Sequence, residues 1–592
     1  MTRRRHRGRG ALVLLVALVL TGCGGLSRGG PVEPGLDVAS NNSQGIRVLF
    51  PGPAAGVDQV SAVRGFVRAG SASDAAYDNA RAFLTTRASE KWNPDRHLVL
   101  LADDVAPKAT LLDPATVRIT GNVAGSVDPE GRYTAARAGS TVSATFRLST
   151  VGGEWRISEL PEDFGRWIAG SEVSRLVQPY EVHYVSTSRR ALVPDTRWFP
   201  VDKLATRLAR AQLVPVPAHL AEASVTAVPA GARLLGEAVS IESGVARVNL
   251  LSADELSAGE TTRQNLWAQF VSTLTQDTSV SRVDLSVNGV PVNIAGLDGP
   301  TGTLAEVGFP TSTGPVLARP VVRRGNDVSV FDPSTLGDAE PRQPVVSGSY
   351  PQVLRIFRRL ALSADGAELA GVDPDGDGIS RWRGTNRYEV PLDVTDVGNP
   401  SYDRRGFLWL GGVGVKGAKA PRLWVVDLSA APADPRAAAT AVQAPWLDGR
   451  RVVEARVAAD GDRVAVLSTK LDGSDTRIDI AGVVRTDGGL PQRLAAPLRI
   501  GASLTRATSI AWLDDRTLAA LGVLRGKAVQ PVVVSVGGEV RALTAVPDAV
   551  SIASTGGERD LWVVSSTGRL HSRAGSQWVD SGPASDLAVA AG

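Results

Sequence analysis

The chain has 592 residues, 43% of them apolar, with 64 lysines and arginines against 61 aspartates and glutamates. The formal charge is +3, but five arginines lie in the first ten residues, so the remainder stands at −2 and the balance is no evidence for a nucleic-acid partner. A single cysteine excludes disulfide stabilisation, and the length allows several domains, each with its own core.

The first ten residues, MTRRRHRGRG, are basic, and the next ten, ALVLLVALVL, are wholly apolar. A spanning helix needs about 20 apolar residues, so this run reads as part of an export signal, residues 1–22. Leu20-Thr21-Gly22-Cys23 is similar to the lipobox of bacterial lipoproteins. That resemblance implies an S-diacylglycerol on Cys23, cleavage just before it and acylation of the new amine. Each buried CH₂ contributes about 0.8 kcal/mol, so two or more acyl chains hold stably. The expectation is a body anchored on the extracytoplasmic face of the cell membrane. Residues 23–44, rich in Gly, Ser and Pro, form its flexible tether.

Residues 45–165 read as an α+β domain. Val60, Val63 and Val67 share one helical face, and Tyr77, Ala80 and Leu84 mark a second helix. Val142, Ala144, Phe146 and Leu148 alternate at period two, Gly152-Gly153 turns the chain, and Trp155 and Ile157 continue on a partner strand. The pattern predicts an antiparallel sheet curled around a helix.

Residues 175–300 read as an α/β domain. Asp202 is placed to cap a helix that Pro215 and Pro217 end. Ser257 and Glu260 have capping-box spacing ahead of a stripe of Leu266, Trp267, Phe270, Val271 and Leu274. Residues 246–251 form a strand. Val283, Leu285 and Val287 lead through Asn288-Gly289 into Val290, Val292 and Ile294, which predicts a hairpin.

Residues 314–592 lose helical periodicity. FRRLALSADGAELAGVD, SYDRRGFLWLGGVG, EARVAADGDRVAVLS, SIAWLDDRTLAALGV and SIASTGGERDLWVVS each join two apolar strands through an acid- or glycine-rich turn. A spacing of roughly 40 to 55 residues predicts an all-β propeller of about six blades, with a β-sandwich as the rival.

Candidate chemistry is sparse. Asp373, Asp375, Asp377 and Gly378 open like a calcium loop, but the twelfth position is Gly384 where a bidentate acid is needed, so an acidic turn is the better reading. His97, His183, His219 and His571 have no partner at zinc-ligand spacing. Residues 411–419, GGVGVKGAK, lack the Gly-Lys-Ser/Thr of a phosphate loop. Asp514 and Asp515 are adjacent and read as turn residues. Trp409, Trp424, Trp446, Trp512 and Trp562 read as blade core or blade rim rather than sugar platforms. No catalytic residue, cofactor site or metal site is assigned.

The lipobox is followed by VRGFVRAG, DNARAFLT and KWNP, then LVPDTRWFP, LATRLARAQL and TAVPAG, then the capped helix and the repeats. In this combination the chain resembles the LpqB family of actinobacterial lipoproteins, with a GerMN-like middle domain and a family-type propeller. One departure is AQLVPVPAHL, residues 211–220, where a glycine-containing turn is expected. The resemblance implies an accessory protein and not an enzyme. Its implied partner is the extracellular part of the sensor kinase MtrB, through which it tunes phosphorylation of MtrA and so cell division and envelope integrity. Cys23 alone carries over as a functional residue. The alternative is a binder of cell-wall glycan or, further off, a propeller hydrolase.

Overall fold

The computed structural model describes residues 50–590, apart from 73–76, 103–105, 138, 237, 254–258, 298–301, 311–318, 332–349, 416–419 and 525. The chain is multidomain, as its sequence predicts, and residues 47–592 form one compact unit.

In the N-terminal domain the helix Gln59–Ala69 starts at Asp58, whose carboxylate accepts from Ser61 N at 2.7 Å. Its Val63, Phe66 and Val67 are buried against a sheet ordered Glu154–Glu159, Thr141–Val151, Thr116–Val127, Leu98–Leu101, Arg166–Ala169. The predicted hairpin is present, with Gly152 and Gly153 both at positive φ. Two expectations need correction. The last pair of strands is parallel, so the sheet is not wholly antiparallel. The second helix is a single turn, Asp78–Arg81. Phe83 and Thr85 then bond to the backbone of Ile157, and a new helix, Thr86–Lys91, begins with Thr85 as cap.

The middle domain pairs Gln178–Ser186 with Leu192–Phe199, and joins Val245–Leu251 to the parallel strand Arg282–Val287 through the helix Glu260–Leu274. Asn288 and Gly289 have φ of 52° and 79°, as a two-residue type I′ turn requires. The return strand is shorter than predicted, only Val290–Pro291. The predicted stripe is buried on two sides: Leu266, Phe270 and Leu274 join one core, Trp267 another, and Val271 touches both.

Both predicted caps here are replaced. The helix Leu204–Gln212 follows Lys203 in the left-handed region. Asp277, more than 70 residues away, accepts from Ala205 N at 3.1 Å, while Asp202 pairs with Arg207. Ser257 lies outside the described residues. Glu260 is the first helical residue, with Gly259 as its cap, and accepts from Ala295 N at 2.8 Å; it does not stand at the third helical position that a capping box needs.

Among the described residues the C-terminal region holds six radially placed sheets. Their inner strands are Asp586–Ala588, Arg358–Leu362, Ser401–Tyr402, Arg450–Val457, Leu504–Trp512 and Ala549–Ser554. Each touches the next, and the last touches the first, so the ring closes. Closure is by the C-terminal strand, which pairs with Val321–Arg324 in the blade that begins the propeller. The sequence repeat is the turn between the first two strands of a blade. Asp365, Asp403, Asp460 and Asp514 each accept from the backbone N–H two residues on, at 2.8 to 3.0 Å. Trp409, Trp424, Trp512 and Trp562 are buried in the blades, and Trp446 is half-buried.

Candidate functional site

Cys23 lies outside the described residues, as do 1–22 and the tether. In the body, two polar regions lie where domains or blades converge, the seam between the middle domain and the propeller and the propeller's axial channel, while other buried pairs such as Glu368 with Arg381 lie within blades.

The seam is built on Asp462, in the turn that opens the fourth blade. Its carboxylate is 1% exposed and accepts from Ser188 Oγ at 3.0 Å, Arg189 Nε at 3.3 Å and Arg405 Nη1 at 3.3 Å. Burial and the neighbouring Asp460 push the Asp462 carboxyl up, while Arg189 and Arg405 pull it down. Nearby, Gly482 N donates to His219 O at 2.7 Å, and Trp198 Nε1 donates to Gly537 O at 2.8 Å. A Cβ on Gly538 would fall 1.8 Å from the ring of Tyr133, so glycine is required where the N-terminal domain meets the propeller. Trp198 N also donates to Gly131 O at 2.7 Å, so one tryptophan ties all three domains. Between the first two, Asp95 lies 3.5 Å from Arg166 and 3.2 Å from Arg207.

His183 faces the same seam. Its Nδ1 is 3.3 Å from Thr273 Oγ1 and its Nε2 is 3.7 Å from Glu181. Burial, reinforced by Arg463, pulls the imidazole down to about 4, so it is neutral at pH 7. Burial pushes Glu181 up, against the pull of Arg516. His219 Nε2 lies 3.3 Å from Asp195, whose other oxygen takes Arg197 Nε at 2.5 Å. Burial opposes the charge of Asp195, but Arg197 and His219 hold its carboxyl below the usual value. Asp195 thus holds the His219 ring and the Arg197 guanidinium in place.

The axial channel has a volume of about 360 Å³ and is lined by inner-strand residues from all six blades. Glu454 in its wall accepts from Arg456 Nε at 2.8 Å and from Ile510 N at 2.8 Å, and Asp586 pairs with Arg323. Arg359 reaches Asn399 on the neighbouring blade.

The other candidates are structural. Asp373 accepts from Ser380 Oγ at 2.5 Å and Asp377 from Asp396 N at 3.0 Å, in a turn between two blade strands. Asp514 caps its own turn. Gly411 packs with no room for a Cβ beside Val452, and residues 416–419 of that segment are outside the described ones. Among the described residues no group of three His, Cys, Asp or Glu is placed to hold a metal. Sequence reading missed Asp462, Arg189 and Arg359. Asp462 had a faint signal as the second acid in AADGDRV; the two arginines had none.

Residues 52–173 match the family model described as lipoprotein LpqB, N-terminal domain; 181–293 match sporulation and spore germination; and 339–587 match the lipoprotein LpqB beta-propeller domain. A lipoprotein LpqB of Thermobifida fusca (strain YX) is 27% identical over 586 residues, 90% of either chain. One of Streptomyces avermitilis is 24% identical over 620 residues, 97% of either chain. Among solved structures, the tandem GerMN domains of the sporulation protein GerM from Bacillus subtilis share 19% identity, covering 22% of this chain and 45% of that one with a TM-score of 0.18.

Proposed function

Because this chain belongs to the LpqB lipoprotein family, we propose that it is a lipid-anchored accessory protein of the extracytoplasmic membrane face. Its lipids sit on Cys23, and its body binds the extracellular part of an MtrB-like sensor kinase and modulates two-component signalling. The observation that carries this reading is the locked body. The buried charges of the seam are engaged with one another, and three domains are joined through Asp462, Trp198 and Asp95 into one composite surface. Tethering keeps that surface at high local concentration beside a membrane-bound partner, so a weak contact suffices. A glycan binder calls for exposed tryptophans and free acids in one cavity. In the channel Trp512 is buried, and Glu454 and Asp586 are each paired with an arginine, which favours the first reading.

The test is cross-linking in intact membranes, with a tag after Gly592 and recovery of peptides without bias. Enrichment of a sensor kinase's extracellular domain, lost on deleting the middle domain or the propeller, supports the reading. Cell-wall fragments with no kinase would replace it with the glycan reading. Cys23→Ser is expected to release a stable body and weaken signalling; a released body that signals in full would overturn the role of the tether.

A further inference from the structure

Arg359 is the second residue of the inner strand Arg358–Leu362, and the pairing of that strand slips there. Arg358 faces Val372 and Ala361 faces Ala370, so Arg359 and Leu360 together oppose Gly371. Arg359 takes φ = 60°, a region that L-residues other than glycine, asparagine and aspartate seldom adopt. A bulge of this kind re-aims a side chain, and strained residues gather at functional sites. The Arg359 side chain lines the axial channel, where the Asn399 side-chain oxygen accepts from its Nη1. Asn399 is neutral, and a guanidinium carries five N–H donors, so most of its hydrogen-bonding capacity remains.

The charges around it are unequal. Among the described residues the channel is lined by five arginines (323, 355, 358, 359 and 456) and two carboxylates, Glu454 and Asp586. Both acids are engaged: Glu454 with Arg456 and Ile510 N, Asp586 with Arg323. Three cations are left in surplus. Of these, Arg358 reaches a backbone carbonyl, that of Pro374, at 3.4 Å. Arg355, Arg358 and Arg359 are all reached by solvent, so a solute can enter. Burial disfavours the charge of Arg359 even with Glu454 nearby, and a bound anion would offset that cost.

We propose that the propeller's channel is a binding site for a small oxyanion, a carboxylate or phosphate group, with Arg359 as its principal ligand and Arg355 and Arg358 completing the field. The arginine fork matches both groups with two parallel hydrogen bonds. The volume of about 360 Å³ admits a small ligand, not a polymer chain. The inference does not depend on the kinase contact.

The test is calorimetric titration of the full-length chain in detergent at low salt, with inorganic phosphate and with citrate as probes and glycerol as the uncharged control. One anion per chain is expected to bind, more weakly as salt is added. Phosphate alone binding would point to a phosphate-bearing solute or headgroup, and citrate alone to a carboxylate. Arg359→Gly keeps the backbone conformation and removes the guanidinium; Arg359→Gln leaves a shorter, neutral polar side chain and removes the charge. Each is expected to weaken binding at least about tenfold while the melting temperature is held or, for glycine, raised. No binding of either anion, or undiminished binding by both variants, would overturn the proposal.

Discussion

His183 shows how one buried ring couples the seam to pH. The unfolded chain takes up a proton on this ring below about pH 6.5, whereas the folded protein resists until about 4. The stability that neutral His183 confers is therefore complete above about pH 6.5 and is lost as the pH falls toward 4, a change of about 3 kcal/mol. Urea unfolding at pH 7.5 and 4.5 checks this: His183→Gln should lose about 2 kcal/mol less than the parent between the two. The raised carboxyls of Glu181 and Asp462 act in the opposite sense, gaining stability as the pH falls toward their unfolded values, so the difference between the two proteins is the quantity to read. Asp462 has a larger effect at neutral pH. Asp462→Ala leaves Arg189 and Arg405 without their shared carboxylate and should cost about 3 kcal/mol in denaturant unfolding, because a half-broken buried pair is worse than none.

At the scale of elements, periodicity was legible and boundaries were not. The faces Val63–Val67, Ala144–Leu148 and Val283–Val287 are buried as their spacing predicts, because side-chain direction follows from helix or strand geometry alone. The caps are different. Asp202 and Asp277 both bear a short carboxylate near a helix start, and only folding brings Asp277 to Ala205 N. Asp277→Ala should cost about 1 kcal/mol. Asp202→Ala, which removes a partly exposed pair with Arg207, should cost about 0.5 kcal/mol or less. Thermal melting of the two variants side by side decides between these caps. The helix expected from Tyr77 to Leu84 shows the same limit: its apolar spacing suits a helix, but Phe83 and Thr85 pair with Ile157 instead.

At the scale of the molecule, the propeller depends on its last strand. Asp586–Ala588 supplies the inner position of the blade begun by Val321–Arg324, and Ala590 bridges to Leu362 of the next. Removing residues 584–592 exposes the buried Val321 and Val322 and opens the ring. The expected result is loss of a cooperative melting transition and rapid proteolysis of the C-terminal region. The intact body is expected to unfold in a single calorimetric transition, because Trp198 and Asp462 tie its domains together.

By itself the sequence determined what short-range chemistry can carry. A basic head, an apolar run and Cys23 are contiguous; blade turns repeat because each acid bonds a backbone N–H two residues on; hairpins follow from residues that tolerate positive φ. Tertiary structure alone decided how charge is distributed. Arg189 and Asp462 are 273 residues apart, and Trp198 and Gly537 are 339 apart, so no local pattern announces either contact. The surplus of arginine in the channel arises in the same way. Its five arginines look ordinary in sequence, and which of them remain without a carboxylate depends on six blades meeting on one axis. Backbone direction is a local property, whereas the partner of a charge is settled only by what packs against it.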